Sequence, residues 1–125
     1  MAGSEGSKYY NIFLKYQIWL ESRDGKDVVC SEFFTLMKLI QKHGSIVAAA
    51  EAMGISFRKA WKLVKDSEVD LNMILIERSR GGKTGGKSEL SAEGHKLIEA
   101  YDELIIEFNK AIHSVTKKFF GVINK

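Results

Sequence analysis

The chain contains no proline, a single cysteine and no long apolar run. Each scarcity removes a class of protein. One thiol, Cys30, cannot build an intrachain disulfide framework or a multi-cysteine metal site, and its place after Val28 and Val29 suits a buried thiol. Short apolar runs exclude a membrane-spanning helix, and residues 1–7 are too polar and glycine-rich for a signal peptide. They read as a flexible tail on a reduced, cytoplasmic protein. What is present is ordinary: 125 residues, 45% hydrophobic and 28% charged, enough for one folded domain over residues 8–125 and too apolar for disorder.

The net charge of +3 is unevenly spread. Residues 1–55 hold six basic and six acidic side chains, residues 56–88 hold eight and four, and residues 89–125 hold five and six. The excess therefore comes from the middle of the chain. A localised cationic patch points to a polyanionic partner more strongly than a diffuse balance does.

That patch begins within residues 45–65, SIVAAAEAMGISFRKAWKLVK. Ser45 is placed to cap a helix that continues through Ile46, Val47 and an alanine run. Gly54 supplies the left-handed backbone that ends it. Ser56 can cap a second helix carrying Arg58, Lys59, Lys62 and Lys65. Small Ala50 and Ala60 mark where the two helices nearly touch, at axis separations of roughly 8–10 Å. The pattern is a helix-turn-helix; the plainer alternative is a helical hairpin with a solvated basic face.

The flanks extend this unit. Residues 8–21, KYYNIFLKYQIWLE, favour a strand, and Asp24-Gly25 is a hairpin turn that brings Val28 to Cys30 back alongside. Residues 31–43 predict a helix capped by Ser31, with Phe33, Leu36, Met37 and Ile40 inward and Gly44 at its end. In the helix over residues 56–68, Ala60, Leu63 and Val64 form the inward stripe; Phe57, Arg58, Lys62 and Lys65 point outward, and Trp61 lies at the margin. Ile74 to Ile76 begin a strand that runs through Arg78 and Arg80 into GGKTGGKS, and Glu89-Leu90 returns before Ser91 caps a last helix. A hairpin with a basic, glycine-rich tip after a helix-turn-helix is a winged helix. Its bare N–H groups, Lys83 and Lys87 suit phosphates.

Residues 92–120 read as one proline-free helix with Leu97, Tyr101, Leu104, Phe108, Ile112, Val115 and Phe119 on a stripe. Its length, roughly 40 Å, exceeds what a small domain needs, which predicts dimerisation along it. The alternative is a break near Asn109 with the end folded back. The fold class expected is mainly α (α+β): a winged helix-turn-helix with an N-terminal strand or hairpin and a long C-terminal helix.

Enzyme chemistry finds little support. Residues 81–88 match G-x-x-x-x-G-K-S, in which Lys87 would reach nucleotide phosphates and Ser88 would hold magnesium. The preceding strand, however, ends in Arg78-Ser79-Arg80, and no later strand ends in the aspartate that the magnesium would need. His43, His95 and His113 are scattered, and Glu99, Asp102, Glu103 and Glu107 read as a solvated helix face. No catalytic residue, metal site or cofactor is expected.

Two stretches, GSIVAAAEAMGISFRKAWKLVK and ILIERSRGGKTGGKSELSAEGHKLIEAYDEL, resemble the DNA-binding N-terminal domain of the ModE family of molybdate-responsive transcription regulators. The specific features are Gly-Ser opening the first helix, Ser-Phe-Arg-Lys-Ala-Trp opening the second, and the doubled-glycine wing followed by Leu-Ser-x-x-Gly. With the preceding strand and helix, the resemblance covers most of residues 10–105. It implies a winged-helix homodimer, joined by its terminal helices, on a palindromic site in double-stranded DNA. It places Ser56, Phe57, Arg58, Lys59 and Lys62 at the major groove, and Arg80, Lys83, Thr84 and Lys87 near phosphates or the minor groove. Lys65 and Arg78 complete the candidate DNA-binding set; Leu97, Tyr101, Leu104, Phe108, Ile112 and Val115 form the candidate dimer stripe. Two departures stand out: lysines and Ser88 among the wing glycines, and no segment resembling the family's oxyanion-binding β-domains. The resemblance therefore implies DNA binding without molybdate sensing, with any effector sensed by a separate protein. The competing readings are a winged-helix protein-interaction module or accessory subunit, and a phosphate-loop nucleotide binder.

Overall fold

The computed structural model describes residues 6, 8–79 and 87–124. In chain order the elements are β1 (Leu20–Glu21), β2 (Asp27–Val29), α1 (Ser31–His43), α2 (Ile46–Met53), α3 (Phe57–Leu71), β3 (Ile76–Ser79), β4 (Lys87–Leu90) and α4 (Ala92–Ile123). They form two compact units, Ile18–Ala100 and Met1–Gln17 with Tyr101–Lys125. Residues 92–100 of α4 belong to the first and the remainder to the second.

In the first unit, α1, α2 and α3 pack on one another. Phe33, Leu36, Met37 and Ile40 of α1 are buried, as their spacing requires, and each contributes roughly 1.5–3 kcal/mol by leaving water. Gly44 ends α1 at φ 76°, its N–H donating to the Ile40 carbonyl. The Ser45 hydroxyl then accepts from the Ala48 N–H, opening α2, and Gly54 closes it at φ 72°. Ala50 and Ala60 are both buried, and α2 packs on α3.

Three local expectations change. The cap of α1 is Cys30, with no side-chain hydrogen bond, because the helix already includes Ser31. In α3 the buried stripe is Ala60, Val64 and Ser67, while Leu63 is half-buried. The helix continues to Leu71, so its inward line follows the three- to four-residue spacing through small Ser67, and Leu63 lines a cleft beside β2 and Phe33. The first strand is only Leu20–Glu21, paired with Asp27–Val29 around the Asp24-Gly25 turn. Lys26, beside that turn, hydrogen-bonds Asp70 of α3 at 3.1 Å, which raises the lysine's pKa.

Residues 8–17 form no strand element; they lie along α4 in the second unit. Tyr9 packs on Phe120 with ring centroids 6.0 Å apart and donates its hydroxyl to the Ile123 carbonyl. Tyr16 stacks on Phe108 at 6.1 Å and donates to Asn109 Oδ1. A strand needs a ladder partner; these aromatics find a helix stripe instead. α4 itself runs unbroken past Asn109.

The second hairpin is antiparallel, with Ile76 opposite Leu90 and Arg78 opposite Ser88. Lys87 and Ser88 thus begin a strand, where a phosphate loop would place them at the start of a helix. Residues 80–86, including Arg80, Lys83 and Thr84, lie outside the described residues.

Candidate nucleic-acid interface

The amino end of α3 is held open by its own cap. Ser56 sits in extended conformation, and its hydroxyl accepts from the Lys59 N–H at 3.0 Å. Phe57, 46% exposed, and Arg58, Lys59, Lys62 and Lys65 all face solvent. Lys59 reaches Glu32 at 3.5 Å, Lys62 reaches Asp66 at 2.7 Å and Lys65 reaches Glu68 at 3.5 Å. The Lys59 and Lys62 pairs are exposed on both sides and worth about 0–1 kcal/mol, so a polyanion can displace their carboxylates, whereas Glu68 is only 11% exposed and stays in place. Arg58 makes no ion pair among the described residues.

The hairpin is fastened to this helical unit at three points and clamped across its own base. Glu68 Oε2 of α3 accepts the N–H groups of Leu75 at 2.8 Å and Ile76 at 3.2 Å. The Ser88 N–H donates to the Gly44 carbonyl at 2.8 Å, joining β4 to the α1–α2 turn. The Ser91 hydroxyl donates to the Ile74 carbonyl at 2.6 Å while accepting from the Gly94 N–H, so the expected helix cap also clamps the hairpin base. Finally, the Arg78 guanidinium carbon lies 3.8 Å from the Trp61 ring centroid, with the Lys65 ammonium 4.5 Å from the same ring.

Residue composition marked the basic set; it did not mark Trp61 as a junction. The four-residue spacing of Trp61 and Lys65 was legible, but Arg78 reaches the indole only through packing of β3 on α3. The same packing makes a crevice lined by Ser45, Ile46 and Val47 of the α2 start, Phe57, Arg78 and buried Ser88. Cationic side chains of α3 and of the wing strand therefore meet on one exposed surface. Lys87, also exposed, opens β4.

Comparison with known proteins bears on what this surface is for. No family model matches the chain. The transcriptional regulator ModE of Yersinia pestis is 40% identical over 80 residues, covering 64% of the chain and 30% of that protein. The DNA-binding transcriptional dual regulator ModE of Escherichia coli K12 is 40% identical over 70 residues, covering 56% and 27%. The resemblance to ModE regulators stands. It extends to the molybdenum-pterin-binding protein MopA of Rhodobacter capsulatus, 31% identical over 90 residues, covering 72% of the chain and 34% of that protein. The chain thus spans about a third or less of the length of these ModE and Mop relatives.

Among solved structures, the DNA-binding domain of CbnR in complex with DNA superposes with a TM-score of 0.56 at 22% identity, covering 70% of the chain and 94% of that domain. The BenM DNA-binding domain on its benA site gives 0.53 at 19% identity, covering 70% and 92%. The fold is the winged helix of transcription-regulator DNA-binding domains.

Of the stripe expected from the sequence to mediate dimerisation, Leu97, Tyr101 and Ile112 are half-buried, while Leu104, Phe108 and Val115 are exposed. No helix among the described residues is long and apolar enough to cross a membrane.

Proposed function

We propose that this chain is the DNA-binding unit of a ModE-type transcription regulator, which binds double-stranded DNA as a homodimer and carries out no catalysis. The Arg78–Trp61 contact carries the reading, because it brings the wing strand and the basic helix to one solvent-facing surface. In this reading α3 enters the major groove amino end first, with Ser56, Phe57, Arg58, Lys59 and Lys62 at the bases and adjoining phosphates. Lys65, Arg78 and Lys87 hold the backbone, joined from the wing tip by Arg80, Lys83 and Thr84. Apolar Leu104, Phe108 and Val115 on α4 supply the contact with a second copy, and any effector acts through another protein or segment.

Selection of preferred sites from a random duplex pool tests this directly: enrichment of a palindrome supports the dimeric regulator, and no enrichment overturns it. Arg58, exposed and outside any ion pair among the described residues, is the candidate for bidentate guanine contact. Arg58→Ala should lose roughly 1–3 kcal/mol of discrimination between the selected site and random duplex, measured by competition binding. Lys87→Ala should instead weaken both duplexes about equally and lower the salt slope by about one. A protein-interaction module would show weak duplex binding with little salt dependence.

A further inference from the structure

The indole of Trp61 is half-buried on α3 and has two cations over it, one from its own helix and one from the wing strand. Trp61, Lys65 and Glu68 recur at four- and three-residue spacing, so they form a line along one face of α3. Glu68, at the far end, grips the backbone of Leu75 and Ile76. Trp61, two turns earlier, holds Arg78, which lies farther along the same strand. The strand is therefore fixed to the helix at its base by hydrogen bonds and near its tip by a ring.

We propose that Trp61 is a positioning residue for DNA binding: its indole holds the Arg78 guanidinium flat against α3, so that helix and wing present one preorganised cationic surface to the sugar–phosphate backbone. The inference rests on the DNA-binding reading above. A guanidinium stacked at 3.8 Å uses its flat face on the ring and leaves its N–H edges for phosphate oxygens. Much of the arginine's rotamer freedom is already lost in the free protein, which lessens the ordering penalty on binding. A lysine at position 78 would keep the charge and lose the stacking plane.

The test is a double-mutant cycle on random-sequence duplex DNA at two salt concentrations, with melting temperature recorded for each variant. R78A should weaken binding roughly 5- to 20-fold and lower the salt slope by about one. W61L and R78K should each weaken it about 3- to 10-fold, whereas W61F, which keeps a ring, should stay within about threefold of wild type. In the R78A background, W61L should add less than about twofold, because its effect acts through the arginine. Multiplying penalties in the double variant, or wild-type affinity for R78K, would overturn the proposal. R78K also serves should W61L fail to fold. A separate readout needs no DNA: in a W19F background Trp61 is the sole indole, and R78A should change its emission. Unchanged emission sinks the stack alone, while a wild-type protein without duplex affinity sinks the DNA reading and the positioning role together.

Discussion

Gly94→Ala should destabilise the fold by roughly 1–3 kcal/mol, although alanine is the better helix former by about 1 kcal/mol. A Cβ at position 94 would stand 2.4 Å from the Leu75 carbonyl oxygen and 3.3 Å from the Leu90 Cβ. That carbonyl cannot yield easily. It accepts the Ser91 N–H at 2.9 Å, and the Leu75 N–H is held by Glu68. The first turn of α4 lies directly against the base of the wing, and only a residue without a side chain lets the backbones approach so closely. Thermal unfolding of G94A should show a midpoint lower by several degrees. Gly121→Ala is the matched control on the same helix, where a Cβ would meet nothing within 4 Å. It should be neutral or stabilise by a few tenths of a kcal/mol up to about 1. Two identical substitutions with opposite signs would show that contact, and not helix propensity, decides at position 94.

Glu68→Ala should remove about 2–4 kcal/mol of stability, read from denaturant unfolding. One carboxylate oxygen accepts two backbone N–H groups, and the side chain is only 11% exposed. Its removal leaves two donors without their acceptor at the start of β3, and each such loss costs on the order of 1–3 kcal/mol. The Lys65 ion pair is lost as well, with little effect because that lysine is exposed. Glu68→Gln keeps a carbonyl oxygen in place and should lose about half as much. If E68A unfolds at the same denaturant concentration as wild type, the hydrogen bonds at the wing base carry no net stability. The prediction also has a functional side. Loosening the base frees the wing strand from α3, so E68A should lose affinity for all duplexes rather than discrimination among them.

The legible part of this protein was local. Ser45, Ser56 and Ser91 cap the helices they precede, Gly44 and Gly54 adopt the left-handed backbone at the ends, and the α1 stripe is buried where its periodicity places it. Each of those outcomes depends on residues a few positions apart. The basic set on α3 was legible for the same reason, since exposure follows from the helical period once the inward alanines are known. The N-terminal segment departs from the expected strand over residues 8–19. Its β-branched and aromatic residues fit a strand locally, but strand formation depends on a ladder partner that no local pattern reveals. Tyr9 and Tyr16 packed instead on Phe120 and Phe108, about a hundred residues away in the chain.

Composition and spacing alone determined that the cationic excess lies on the second helix of a helix-turn-helix together with the glycine-rich hairpin that follows it, because caps, turns and charge are properties of short segments. Tertiary packing decided how these parts cooperate: Glu68 and Gly44 hold the hairpin, Gly94 lets α4 close on it, and Trp61 gathers Arg78 beside Lys65. Apart from the Trp61–Lys65 pair, those contacts join residues 7 to 44 positions apart, and their geometry exists only once the helices have packed and fixed where β3 and β4 run.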